Sequence, residues 1–164
     1  MATTISGVST LGVTLSYGVE TTAGQKPATF TLLPRVNSIS GIQLDVETID
    51  ASALEDYQER SISGRQSTGG DWSCTFNLTT ETEAIIETML SAAATATANN
   101  KRTWFQVISP NLTKAFFVVA QPGTKIPMPD LSQNELLTVE ITLTIDEYKG
   151  MDTKVTPTDS SSSS

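Results

Sequence analysis

The chain has 164 residues and a mass of 17.5 kDa, which is the size of one domain with a normal core. Its 18 acidic and 10 basic residues give a formal net charge of −8, and no basic cluster is present through which nucleic acid would be bound by counterion release. Only 17% of the residues are charged, threonine and serine are abundant, and this composition favours strands over helices.

Alternating apolar and polar residues predict three strands near the start of the chain. Residues 13–20 alternate as a half-buried strand does. A second strand is predicted over 30–35 and a third over 39–46, interrupted at Gly41.

The segment 47–70 is a long polar and acidic excursion, predicted to be irregular. Compact domains seldom keep about twenty irregular residues unless these have a function or are disordered. We therefore interpret this segment, here called the arm, as a contact arm. Its apolar residues are the candidate contacts: Ile49, Leu54, Tyr57 and Ile62.

A further strand is predicted over 72–78, where large apolar residues alternate with polar ones. Thr80 and Glu83 fit a capping box at the start of a helix over 81–97. Apolar residues recur at helical spacing from Ile85 to Ala93 and predict one buried stripe. Asn99-Asn100 ends the helix, and Lys101-Arg102 complements its dipole.

The last third of the chain predicts a hairpin and one long strand. Residues 103–108 and 113–120 flank a turn at Ser109-Pro110-Asn111, and a proline-rich loop follows. The longest alternation covers 137–146 and has one aliphatic face on a core and one face in water. The wet face carries Thr138, Glu140, Thr142, Thr144 and Asp146.

These elements predict a mainly β fold, an antiparallel β-sandwich or barrel with one flanking α-helix and a long extended loop. One domain is expected over 1–150, including the arm and the helix. Residues 151–164 are predicted to form a disordered, serine-rich tail.

No residue pattern indicates catalysis, a metal site or a cofactor site. Histidine is absent, the single Cys74 lies in a predicted strand, and the glycine-spotted GRQSTGG lacks the lysine of a phosphate-binding loop. Carboxylates such as those of Glu55 and Asp56 lie on the arm and not in an aromatic-lined pocket, and the acids do not have EF-hand spacing. We therefore predict that the protein is not an enzyme.

The sequence also predicts where the protein is found. No apolar run reaches membrane-spanning length, and MATTISGVSTLGV lacks the basic and apolar regions of a secretory signal. We expect a protein that is made or assembled in a cytoplasm and has no membrane partner.

The order of these segments resembles the major tail tube proteins of long-tailed bacteriophages. The similarity covers about 11–148 and lies mainly in GVTLSYGVETTAGQKPATFTLLPRVNSI and VETIDASALEDYQERSISGRQSTGGDWSCTFNL. A segment like ETIDVTTLDD…IPGL.DtG…FTFNY is typical of that family. Ser63-Gly64-Arg65 departs from it, since Pro-Gly is usual there, and no immunoglobulin-like domain follows Gly150.

The resemblance implies a virion tail protein that forms hexameric rings, which stack into a hollow tube. Strands of all six subunits would line the lumen, and the arm would reach an adjacent ring. Double-stranded DNA would pass through on ejection, without specific binding, and a tape measure protein and tail-end proteins would be partners. Assembly would take place in the bacterial host cytoplasm.

Other interpretations remain open from the residues alone. The polar face of residues 138–146 either lines a lumen, where its carboxylates would repel phosphates, or is the wet face of an ordinary sheet. A secretion-tube subunit of the Hcp type shares the ring-stacking architecture. A monomeric β-sandwich binding module would carry exposed aromatic residues on its loops, and a hydrolase would have an acid-lined pocket.

Overall fold

The computed structural model describes residue 9 and residues 11–158. Nine strands and one helix lie within the described residues. They are β1 (Thr14–Val19), β2 (Thr31–Leu33), β3 (Val36–Ile39), β4 (Asp45–Asp50), β5 (Ser61–Ser67), β6 (Asp71–Asn77), α1 (Thr80–Ala98), β7 (Thr103–Ile108), β8 (Lys114–Gln121) and β9 (Thr138–Thr153). The mainly β fold with a flanking helix confirms the predicted fold class.

Seven strands form one antiparallel sheet in the order β2-β1-β7-β8-β9-β6-β3. β9 is long enough to belong to two halves of this sheet, because Thr138–Thr144 pairs with β6 and Thr144–Thr153 pairs with β8. The inner faces of the two halves contact each other, and the rings of Trp72 on β6 and Phe105 on β7 meet edge to face with centroids 5.8 Å apart. The single sheet therefore folds over at β9 into a sandwich.

The main core lies between these two halves and beneath the helix. Leu15 and Leu33 come from one half, and Phe76 and Ile141 come from the other. The aliphatic face of β9 is buried along Val139, Ile141, Leu143 and Ile145, as the alternation predicted. The alternation of apolar and polar residues in the sequence is therefore enough to identify the buried face of β9.

Helix α1 closes this core with the predicted apolar stripe, in which Ile85, Ile86, Met89 and Leu90 are buried. The predicted cap residue was wrong by one position. Thr79 is the N-cap, and its Oγ1 accepts a hydrogen bond from the amide of Thr82 at 3.2 Å. Lys101-Arg102 does not lie in the last turn of the helix, which contains no basic residue.

A second, smaller core lies on the outer face of the β7–β8 half. Phe30, Trp104 and Phe117 are buried there. Val155 covers part of this core, and its amide donates to Gln106 Oε1 at 2.9 Å while Gln106 Nε2 donates to the Val155 carbonyl at 2.8 Å. The Thr158 amide donates to the Phe30 carbonyl at 2.8 Å, and the Leu32 amide donates to the Thr158 carbonyl at 2.9 Å. Thr158 thereby pairs with β2.

The predicted boundary at residue 150 therefore needs correction. β9 continues to Thr153, and residues 154–158, here called the strap, lie across the second core. The alternation is interrupted near residue 150 because β9 carries two bulges, and the register with β8 skips Asp146 and Lys149. The rest of the predicted tail, 159–164, lies outside the described residues, as do residues 1–8 and 10 of the predicted domain.

The third predicted strand is two separate strands. β3 ends at Ile39, and β4 begins at Asp45 in a different sheet. No helix among the described residues has the length and apolarity needed to cross a membrane.

Candidate interaction surfaces

The arm is a β-hairpin made of β4 and β5, which form a sheet of their own. Ile49 lies opposite Ile62, and a bulge interrupts the register between Val46 and Thr48. Gly64 allows this close approach, since a Cβ there would lie 3.1 Å from the Glu47 carbonyl oxygen. The prediction of an irregular segment was wrong, because strands exposed on both faces do not alternate in sequence.

The tip of the arm, residues 51–60, is held by hydrogen bonds within the hairpin. Asp50 Oδ1 accepts from the Ser52 amide at 2.9 Å, and the Arg60 amide donates to Ser52 Oγ at 2.8 Å. Asp56 Oδ2 accepts from the Ala53 amide at 2.8 Å, and Asp56 also forms an ion pair with Arg60 at 3.3 Å. The hydrogen bonds from Ser52 hold the pKa of the Asp50 carboxyl below its usual range.

The apolar side chains of the arm face solvent. Leu54 and Tyr57 are fully exposed at the tip, and Ile49 and Ile62 are 51% and 56% exposed on the paired strands. All of β4 is exposed, and in β5 only Gly64 is half-buried. A two-stranded hairpin alone is at best marginally stable in water. The structure thus brings the four predicted contact residues onto one projecting element, although whether they touch another copy stays a prediction.

Short contacts fix the base of the arm to the sandwich. The Trp72 indole donates to the Ser40 carbonyl at 2.8 Å, and the Ser40 amide donates to the Ser73 carbonyl at 2.8 Å. On the other side, Gly69 and Gly70 take φ angles of +84° and +87°, which favour glycine. The Gly70 carbonyl accepts from the Ile145 amide at 2.8 Å, so the chain leaves the sandwich at the bend of β9.

The second candidate surface is the outer, polar face of β6 and the first half of β9. Glu140, Thr142 and Thr144 are exposed and Thr138 is half-exposed on β9. Their partners on β6 are also polar: Asn77, Thr75, Ser73 and Asp71. The structure confirms that this face is polar and borders solvent, and whether it lines a lumen stays a prediction.

Asp146 differs from the other residues of that predicted face. It lies at a bulge, and its Oδ2 accepts from Arg102 Nη1 at 2.8 Å. Arg102 also pairs with Glu147 at 3.2 Å and with buried Glu20 at 3.0 Å. Asp146 therefore contributes to an ion-pair network, whereas Glu140 presents its charge to solvent.

Glu20 is the centre of this network and is only 2% exposed. Burial alone would raise the pKa of its carboxyl. Hydrogen bonds from the Trp104 indole at 2.8 Å, the Gly24 amide and Arg102 outweigh burial and lower the pKa. The sequence did not reveal this network, because Glu20 and Arg102 are 82 positions apart.

An apolar cleft of about 270 Å³ lies beside the base of the arm. Its walls include Ile39, Ile42, Trp72, Val107, Phe116 and Tyr148. β6 begins at Asp71 and pairs only with the first half of β9. Among the described residues, no strand therefore lies opposite the inner face around Phe116 and Tyr148, and the cleft opens there. Sequence analysis missed it, since the strand pairing that leaves this face open is non-local.

The groups suited to chemistry are dispersed or buried. Within the described residues, no group of three or more histidine, cysteine, aspartate or glutamate side chains is placed to hold a metal ion. Cys74 is 1% exposed, and burial raises the pKa of its thiol to about 12. This thiol is held in its unreactive form at neutral pH.

No protein-family model and no curated protein matches the chain. Solved structures do match its fold. One is the tail of an empty GTA particle with C6 symmetry, with a TM-score of 0.51, 14% identity and coverage of 87% of this chain and 95% of that chain. Another is the anti-feeding prophage (AFP) baseplate, 6-fold symmetrised, with a TM-score of 0.49, 12% identity and coverage of 92% and 96%. At this identity the first likeness establishes a shared fold over nearly the whole of both chains.

Proposed function

We propose that the protein is a structural subunit of a virion tail, in which hexameric rings stack into a hollow tube. The observation that carries the proposal is the projecting arm on a fold shared with a chain from a tail of C6 symmetry. An exposed hairpin with apolar side chains at its tip is poorly explained in a lone subunit, since exposed apolar patches mark interaction sites. The partner is therefore another copy of the chain.

The polar face of β6 and β9 is the surface that suits the lumen. It carries Asp71 and Glu140 amid neutral threonine, serine and asparagine side chains. Negative charge on a tube wall repels phosphates, so double-stranded DNA would slide through on ejection without binding. A tape measure protein in the tube and proteins at the tail ends complete the proposed set of partners, as the family resemblance implies.

Electron microscopy of the purified, concentrated protein tests assembly directly. Six-fold rings or tubes are expected, with a particle mass in solution at least six times that of one chain. A strictly monomeric particle over the same concentration range would contradict the proposal and favour a binding module.

Shortening the arm tests its role. Replacing residues 46–66 by Asn-Gly joins Asp45 to Ser67, which lie opposite each other, through a turn suited to two-residue hairpins. The variant should keep the circular dichroism and thermal transition of a folded sandwich and fail to form stacked rings. Tubes of normal length from this variant would refute the assigned role of the arm.

Charge reversal tests the lumen assignment. Particles built from the Glu140→Lys/Thr142→Lys variant should release DNA more slowly, because lysines on the wall would attract phosphates. Glu87→Lys/Thr88→Lys, at two exposed positions of α1, makes the same change in charge and should release DNA at the normal rate. Equal release rates for the two variants would place the polar face elsewhere than the lumen.

A further inference from the structure

The cleft beside the arm is suited to apolar side chains more than to a small molecule. Its volume of about 270 Å³ lies below the roughly 300–1,000 Å³ of small-molecule pockets. Its walls are aromatic and aliphatic, and Met151, opposite Phe116 in the sheet, extends the apolar surface at its mouth with 44% exposure. One or two apolar side chains would fill it.

The tip of the arm presents side chains of this kind. Leu54 and Tyr57 lie three residues apart and are fully exposed. Glu55 and Glu59 stand beside them, also exposed. The tip is therefore an apolar pair with an acidic rim.

The mouth of the cleft offers a complementary charge. Lys114 is exposed and lies two residues before Phe116, which places both side chains on one face of β8. An acidic rim around the tip would meet this lysine as the apolar pair enters the cleft.

The arm of the same chain cannot supply the occupant. The six residues of β4, at about 3.3 Å each, hold the tip about 20 Å from the base. The cleft wall at Ile42 lies only three residues before β4 begins. While β4 and β5 stay paired, the tip is held about 20 Å from the base, which is beyond the cleft of its own chain.

We propose that the cleft receives the Leu54–Tyr57 tip of the arm from a second copy of the chain. This inference rests on the proposed function and identifies the receiving surface for the arm. The contact joins two different surfaces, tip and cleft, and such head-to-tail contacts generate rings or open filaments. Each subunit would then donate one arm and accept another.

Cysteine cross-linking between two variants tests the contact. Leu54→Cys and Phe116→Cys proteins are mixed, oxidised with copper-phenanthroline and separated without reductant. Mixed dimers are expected at about tenfold the yield of the control pair Leu54→Cys with Thr142→Cys, whose second thiol lies on the polar face. The buried native Cys74 stays unreactive. Equal yields from the two pairs would overturn the inference, and so would an intrachain disulfide in a dilute Leu54→Cys/Phe116→Cys double variant.

A second pair of variants measures the effect on assembly. Leu54→Ser/Tyr57→Ser should raise the concentration needed for assembly about tenfold or more, as expected when buried anchors are removed. Gln58→Ala, at the same exposed tip, should leave it unchanged. Cross-linking without rings would refute only the tube. Tubes that persist in Leu54→Ser/Tyr57→Ser at the wild-type concentration would refute only the tip–cleft contact.

Discussion

Glu20 shows how a single buried charge is stabilised in this fold. Its carboxylate accepts from Trp104, Gly24 and Arg102, so both oxygens have donors. An unpaired carboxylate at this depth would be strongly unfavourable. The network connects the end of β1 to the start of β7 and, through Asp146 and Glu147, to the bend of β9. It therefore ties β1, β7 and β9 together beside this bend.

Replacing Glu20 by glutamine should destabilise the protein at neutral pH. The change removes the charge opposite Arg102, which keeps Asp146 and Glu147 as partners and is one-third exposed. The expected loss in the free energy of unfolding is therefore about 1–3 kcal/mol, below the range for a fully buried pair. Urea denaturation followed by tryptophan fluorescence measures it.

The pH dependence of this loss follows from the lowered pKa of Glu20. A carboxyl with a lowered folded-state pKa stabilises the protein above its unfolded pKa, and the stabilisation disappears as the pH falls through the folded pKa. The difference between wild type and Glu20→Gln should therefore shrink in acid. A difference that is equal at pH 7 and pH 3 would contradict the assigned charge state. Glu135→Gln, in an exposed loop, should change stability by less than about 0.5 kcal/mol at either pH.

At the scale of single elements, two adjacent threonines have different roles at the start of α1. Thr79 has extended backbone and accepts from the Thr82 amide, whereas Thr80 is the exposed first helical residue. Thr79→Ala should therefore cost about 1 kcal/mol of stability, and Thr80→Ala should cost less than about 0.5 kcal/mol. Thermal unfolding of the two variants compares them, and a larger loss for Thr80→Ala would restore the sequence-based assignment.

Elements with one buried face were predictable, and elements without one were not. β6 and the first half of β9 alternate in sequence because one face meets the core. β8 is instead a continuous apolar run, because a core lies on each of its faces. The arm has no buried face, so its strands carry no periodic pattern although their residues are extended. The contact residues on it were nevertheless recognisable, since apolar side chains in a polar segment need no alternation to be noticed.

At the scale of the whole molecule, the features that sequence analysis missed depend on pairings between distant residues. The bend of β9, the open cleft and the ion-pair network arise where β6 and β8 divide one strand between them. No local pattern encodes that division. The strap is a further case, because a short polar segment near the end of a chain is normally a sign of disorder. Here its contacts with Gln106 and Phe30 decide its conformation.

Removal of the strap tests whether it stabilises the sandwich. A chain that ends at Thr153 leaves the fully buried Gln106 without its two hydrogen bonds to Val155 and uncovers the second core around Phe30. Gln106 Nε2 keeps its hydrogen bond to Ser16 Oγ at 3.1 Å. We expect a loss of about 2–4 kcal/mol in the free energy of unfolding relative to a chain that ends at Thr158, because each lost hydrogen bond contributes about 1 kcal/mol and the apolar cover of the second core is lost as well. Chemical denaturation of the two truncated chains measures the difference.

A Val155→Ala variant of the longer chain keeps both backbone hydrogen bonds to Gln106 and should lose only about 1 kcal/mol of stability, which separates packing from hydrogen bonding. Equal stability of the two truncated chains would show that the outer core is stable without the strap.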